Sequence, residues 1–202
     1  MQELFNFFLS QYQNSPTSFI VLEFIAFIFG IASVWYAKKE NILVYPTGLI
    51  ATIITVYLLY KAEYFGDMMM NFYYSVMSIY GWWNWSRKKD GEYVVPISRT
   101  NLKEKWIGFI LFLLTMAVTY LVYSYSGTTI ETENYIDIFT SGVFFTAMWY
   151  MANKKIENWT LWIFADIITV PLYAYRGLGM LSLQYLIFTI LAIQGYLAWK
   201  KT

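Results

Sequence analysis

Neither cysteine nor histidine occurs anywhere in the 202 residues. Without cysteine there can be no disulfide framework, thiolate metal site or cysteine nucleophile. Without histidine as well, a soluble-enzyme reading loses most of its usual residues. Charge is also scarce: only 13% of residues are charged, against roughly a quarter in an ordinary soluble domain. The net charge of +1 leaves no broad basic surface for nucleic acid. No GxxxxGK[ST] or GxGxxG motif is present to cradle phosphates. What the chain does have is apolar surface, with 58% hydrophobic and 22% aromatic residues, so its surroundings are the lipid bilayer. The opening stretch MQELFNFFLSQYQNSP lacks a basic start and a small-residue cleavage site, so it does not read as a cleaved signal peptide. Residues 1–15 are expected to form a short interfacial helix with Leu4, Phe5, Phe8, Leu9 and Tyr12 on its apolar side.

About 20 apolar residues cross a bilayer core. Seven runs qualify, at roughly 18–37, 42–60, 68–85, 106–125, 135–152, 158–175 and 181–199. An odd number of crossings puts the two termini on opposite sides. Twelve of the 14 Lys and Arg residues then fall on one side, and only Lys61 and Arg176 on the other. The positive-inside rule therefore predicts a cytoplasmic C-terminus and an outside N-terminus.

An ungapped shift of 114 residues superimposes two parts of the chain. It carries Trp35-Tyr36 onto Trp149-Tyr150, IITV at 53–56 onto IITV at 167–170, Gly81 onto Gly195 and Trp85 onto Trp199. It also carries Glu23 onto Asp137 and Ala51 onto Ala165. Spans one to three map onto spans five to seven, and the fourth is left unmatched. Three helices end on the side opposite to their start, so one extra crossing is needed before the triplet can repeat in the same orientation. The expected fold is an all-α membrane protein of seven transmembrane helices in a 3+1+3 parallel repeat. Its parts are a first triplet over 18–85, a cytoplasmic loop and linker helix over 86–125, and a second triplet over 135–199. Parallel repeats of this kind build transporters with a midplane site between the halves.

Candidate binding residues follow from polarity at membrane depth. Asp166 shares its span with Trp159 and Trp162, and the spacing i, i+3, i+7 puts all three on one helical face. A carboxylate near a helix centre costs about 2.5 to 3.5 kcal/mol on insertion scales, and no Lys or Arg lies inside any span to neutralise it. A cationic ligand stacked on the tryptophans would supply the counter-charge. The competing reading is a protonated aspartate bonded to a neighbouring helix, with the indoles as packing. Asn71, Ser75 and Ser78 form one polar stripe on the third span, and Gln184 and Gln194 lie on the seventh. Each of these could orient a substrate or bond across helices. Glu23 and Asp137 lie nearer the outer ends, where a structural role is expected. Pro46 and Pro171, in the middle helix of each triplet, are potential hinges.

Three stretches in combination, SIYGWWNWSR, KKIENWTLW and SLQYLIFTILAIQGYLAW, resemble the nicotinamide riboside transporter family, PnuC. The resemblance covers most of the chain apart from the N-terminal helix and the fourth span. It implies a SWEET-like fold, a homotrimer, and inward facilitated diffusion of a vitamin that a cytoplasmic kinase then traps by phosphorylation. Trp159 and Trp162 match the family's W-x-x-W-x-x-x-N pattern, with Asp166 at the Asn position; Asn71 stands where riboside transporters resemble one another in carrying Gln. Branches of the family carry thiamine (PnuT), riboflavin (PnuX) or deoxynucleosides. An acidic, aromatic site suits a ring cation, and the thiamine aminopyrimidine can bond an aspartate. Thiamine is therefore the first expectation and nicotinamide riboside the alternative. The expected substrate-binding residues are Trp159, Trp162, Asp166, Asn71, Ser75, Gln184 and Gln194, with no cofactor and no metal. Two other classes fit less well. A channel or scaffold would lack saturable uptake, and an intramembrane enzyme would need paired catalytic groups that the chain does not offer.

Overall fold

Among the described residues, seven helices form on the seven apolar runs. In the computed structural model these are α1 (Thr17–Lys38), α2 (Val44–Lys61), α3 (Phe65–Ser86), α4 (Leu102–Tyr125), α5 (Thr132–Ala152), α6 (Glu157–Tyr175) and α7 (Gly179–Trp199). The structure describes residues 15–61, 65–125 and 130–202, so the interfacial helix expected over 1–15 falls, but for Ser15, outside the described residues. Where helices outrun the apolar stretches, polar caps explain it. The Asn101 N–H donates to Glu104 Oε2 at 2.8 Å while the Glu104 N–H donates to Asn101 Oδ1 at 2.9 Å. This reciprocal box starts α4 at Leu102. Glu131 and Asn134 form the same kind of box ahead of α5.

One element is absent from the sequence expectations. Strands β1 (Lys88–Lys89) and β2 (Glu92–Tyr93) pair antiparallel across Asp90 and Gly91. Both turn residues have positive φ, 53° and 88°, the conformation for which Asp-Gly is the strongest short hairpin signal. The chain beyond the hairpin is pinned to the α5–α6 connection. The Ser98 N–H donates to the Lys154 carbonyl at 3.1 Å, and the Ile156 N–H donates to the Ser98 carbonyl at 2.9 Å. An ion pair from Lys155 to Glu104, at 2.7 Å, fixes the start of α4 against the same connection.

The helices close into a ring. Within the halves, α2 packs on α1 and α3, and α6 packs on α5 and α7; between them, α1 meets α7 and α3 meets α5. Helix α4 lies outside the ring, mainly against α5. By length and composition α1, α2, α4 and α7 can each cross a membrane. The other three carry most of the buried polar side chains, among them Ser75 and Ser78 on α3, Thr140 and Thr146 on α5, and Asn158, Asp166 and Thr169 on α6, while α4 and α7 bury only the hydroxyls of Thr115, Ser182 and Thr189. Polarity that lipid would penalise is thus turned inward.

The repeat is visible in three dimensions. Glu40 and Lys154, 114 residues apart, both have positive φ, 54° and 51°. In each connection the next N–H reaches back to an equivalent tyrosine carbonyl: Asn41 to Tyr36 at 3.0 Å and Lys155 to Tyr150 at 2.9 Å. A methyl group on Gly81 would overlap the Tyr45 ring, and one on Gly195 would come within 2.7 Å of the Trp159 indole. These are again equivalent pairs. Glycine is required at both places because a ring from the middle helix occupies the space of a side chain.

Candidate functional site

Asp166 stands at the middle of α6, nine residues from either end. It is 1% exposed, and its Oδ1 has no hydrogen-bond partner among the described residues. One turn nearer the helix start, Trp162 reaches across the ring to Tyr74 of α3, with ring centroids 6.2 Å apart. It also lies 5.4 Å from Phe144 of α5, which in turn lies 5.8 Å from Tyr185 of α7. Aromatic faces from four helices therefore meet inside the ring at the depth of the buried carboxylate. A cation held there would gain both ring quadrupoles and a counter-charge.

In the first half, the equivalent of Asp166 is Thr52 and that of Trp162 is Gly48. At the middle of α3, Ser75 Oγ is hydrogen-bonded to Thr52 Oγ1 at 2.8 Å and lies 3.0 Å from the Asn71 carbonyl oxygen. Asn71 itself is half-buried one turn away. Gln184 is half-buried on α7, and a Cβ on Gly30 of α1 would come within 3.1 Å of its amide nitrogen. The absence of a side chain at Gly30 therefore leaves the space that the Gln184 amide occupies.

Two residues expected at the midplane are placed elsewhere. Gln194 is exposed, near the end of α7, and accepts a hydrogen bond from Lys38 Nζ at 2.8 Å. Trp159 is 1% exposed and packs edge-on against Trp199, with centroids 5.4 Å apart and planes at 87°. It belongs to a cluster with Tyr45, Trp85 and Trp199. Helical periodicity gives a residue's direction but not its depth, and Trp159 lies seven residues, about 10 Å, below Asp166 along α6. Conversely, Tyr74, Phe144 and Tyr185 were not expected at the site. Aromatic residues make up 22% of the chain, too many for any one to stand out.

At the opposite end of the ring Asp137 has a structural partner. Arg176, just beyond α6, pairs with its Oδ2 at 2.8 Å, and the Tyr123 hydroxyl donates to the same oxygen at 3.2 Å. Burial works against the Arg176 charge, but the Asp137 hydrogen bond and charge more than offset it, so the guanidinium holds its proton more tightly than usual. Together with Glu131, Glu133, Asn134 and Tyr175, Arg176 lines a cleft of about 340 Å³.

Known proteins share this architecture. A crystal structure described as that of the vitamin B3 transporter PnuC superposes with a TM-score of 0.71 at 23% identity, covering 99% of this chain and 88% of that one. The nicotinamide riboside transporter PnuC of Escherichia coli (strain K12) is 23% identical over 201 residues, 88% of this chain and 84% of the relative. The protein of the same name from Neisseria mucosa is 26% identical over 192 residues, 88% of this chain and 71% of its own length. The family described as nicotinamide mononucleotide transporter matches over residues 20–201. The chain therefore belongs to that family of multi-pass membrane transporters and is not an enzyme.

Proposed function

We propose that this protein carries nicotinamide riboside across the bacterial inner membrane by facilitated diffusion, with phosphorylation in the cytoplasm trapping the product. The observation that carries a cationic substrate is Asp166, a carboxylate buried at mid-helix with one oxygen unpartnered among the described residues, beside the aromatic ring of Trp162; the choice of the riboside among ring cations rests on the relatives. The riboside's pyridinium supplies the missing charge. The same carboxylate disfavours a mononucleotide, whose phosphate would bring a second negative charge into a ring without Lys or Arg at that depth. The PnuC relatives named above support the riboside over thiamine, reversing the order expected from the sequence. Thiamine remains a second reading because of one specific feature: its aminopyrimidine N–H groups suit a carboxylate better than the riboside's carboxamide and hydroxyls do. The Lys and Arg distribution, twelve against two, supports a cytoplasmic C-terminus, and a homotrimer is part of the proposal.

Reconstitution into liposomes tests it. Riboside uptake should saturate, show counterflow, stop at equal concentrations, and resume when a riboside kinase is enclosed with ATP. Thiamine taken up in preference to the riboside would move the assignment to the second reading; non-saturable flux of both would make the protein a channel.

A further inference from the structure

The end of the ring that carries Lys38, Lys154 and Lys200 is closed by contacts related through the repeat. Trp85 of α3 donates its indole N–H to the Met151 carbonyl of α5 at 3.3 Å. Trp199 of α7 donates to the Ala37 carbonyl of α1 at 3.1 Å. Trp85 and Trp199 are repeat mates, as are Ala37 and Met151, so each half reaches over and holds the other in the same way. The two indoles lie 5.9 Å apart. Tyr45 abuts Trp85 at 5.1 Å and Trp159 abuts Trp199 at 5.4 Å. All four rings are at most 2% exposed, so together they form one buried aromatic layer at this end.

An ion pair sits over this aromatic layer. Lys154 Nζ lies 2.6 Å from Glu40 Oε1, and these residues are themselves repeat mates. A side chain facing its own counterpart across a pseudo-two-fold axis would meet a like charge if the repeat were perfect. Here one mate is acidic and the other basic, so repulsion becomes attraction. The Lys154 side chain is only 4% exposed, and its ammonium lies 4.8 Å from the Trp85 ring centroid. Asn84 adds a bond from its amide to the Ala152 carbonyl at 2.9 Å.

We propose that Trp85, Trp199 and the Glu40–Lys154 pair are a double latch that holds this end of the ring shut and releases when the halves part during transport. The proposal rests on the transport reading but not on the identity of the substrate. Four cross-half interactions of ordinary strength suit a latch, because each is individually weak enough to break and together they define one closed state.

The chain has no native cysteine, so a single reporter thiol can be introduced. Ser78 is 4% exposed on α3, seven residues from Trp85 and on the same helical face. In Ser78→Cys protein in membrane vesicles, an impermeant maleimide supplied to the face bearing Lys200 and Lys201 should label slowly. Adding Trp199→Phe, which keeps a ring but removes the donor, should raise the rate about tenfold, as loss of one such bond shifts a two-state population. Glu40→Lys should raise it further by placing two ammonium groups together. The exchange Glu40→Lys with Lys154→Glu should restore slow labelling, because the repeat puts the new lysine beside Trp199 as the native one lies over Trp85. Unchanged labelling in Trp199→Phe, or no rescue by the exchange, overturns the latch. If Glu40→Lys does not fold, Trp199→Phe alone decides. Labelling is read without substrate, so the latch stands or falls even if neither riboside nor thiamine is carried.

Discussion

The two halves of the ring agree at one end and differ in the middle. At the basic end the repeat is kept in contacts as well as letters: Trp85 and Trp199 make equivalent hydrogen bonds across the ring, and Gly81 and Gly195 make equivalent room for Tyr45 and Trp159. Midway through the bilayer the pairs diverge, with Gly48 against Trp162, Thr52 against Asp166 and Gly30 against Phe144. Under the proposed transport cycle, the matched contacts at the basic end, joined by the charge exchange of Glu40 against Lys154, serve opening and closing, and the unmatched positions around Asp166 serve the proposed recognition of an asymmetric cation.

Removing the largest asymmetry should have the largest effect. Asp166→Asn is expected to weaken binding of a cationic substrate about 30-fold or more, the range for truncating one partner of a buried charge pair, as measured by titration calorimetry on purified protein. Moving the carboxylate to the other half, as Asp166→Thr with Thr52→Asp, should not restore affinity, because Trp162 and Phe144 have no aromatic equivalents at Gly48 and Gly30. Recovery in that double variant would mean that the halves are interchangeable for recognition.

Trp162→Ala should cost about 2 kcal/mol of affinity for a desolvated cation, whereas Trp159→Phe should leave affinity nearly unchanged and lower the thermal midpoint of the detergent-solubilised protein. Equal loss of affinity in both variants would return Trp159 to the binding site. Gly81→Ala and Gly195→Ala should destabilise to a similar extent, by about 1 to 3 kcal/mol for overpacking. A large difference between them in thermal denaturation would show that the matched end is matched only in sequence. Ser75→Ala, which removes a hydroxyl bonded to Thr52, should have the smallest effect, about 0.6 kcal/mol.

Much of this was legible in the sequence because membranes simplify the code. Spans, their count and the 3+1+3 plan followed from apolar length and an ungapped repeat, since in lipid a backbone has few choices other than helix. Asp166 stood out because charge is so rare within the spans. Trp159 and Gln194 were harder to place, because periodicity fixes the face of a helix but not its level, and both lie closer to the basic end than to the middle. The hairpin at Lys88–Tyr93 had a local signal in Asp-Gly, overshadowed by the surrounding tryptophans and basic residues. The latch was beyond sequence reading altogether. An indole donating to a carbonyl of the opposite half depends on which helices adjoin, and that is set by the closed ring.

The central claim is that Asp166 provides the counter-charge for a cationic ligand, and the most direct test holds ligand shape fixed while changing its charge. Calorimetric titration of the purified protein with nicotinamide riboside and with its neutral dihydro form, under the same conditions, does this. The account predicts binding of the cation, much weaker binding of the neutral form, and loss of that preference in Asp166→Asn. Equal affinity for the two forms in the native protein would contradict it.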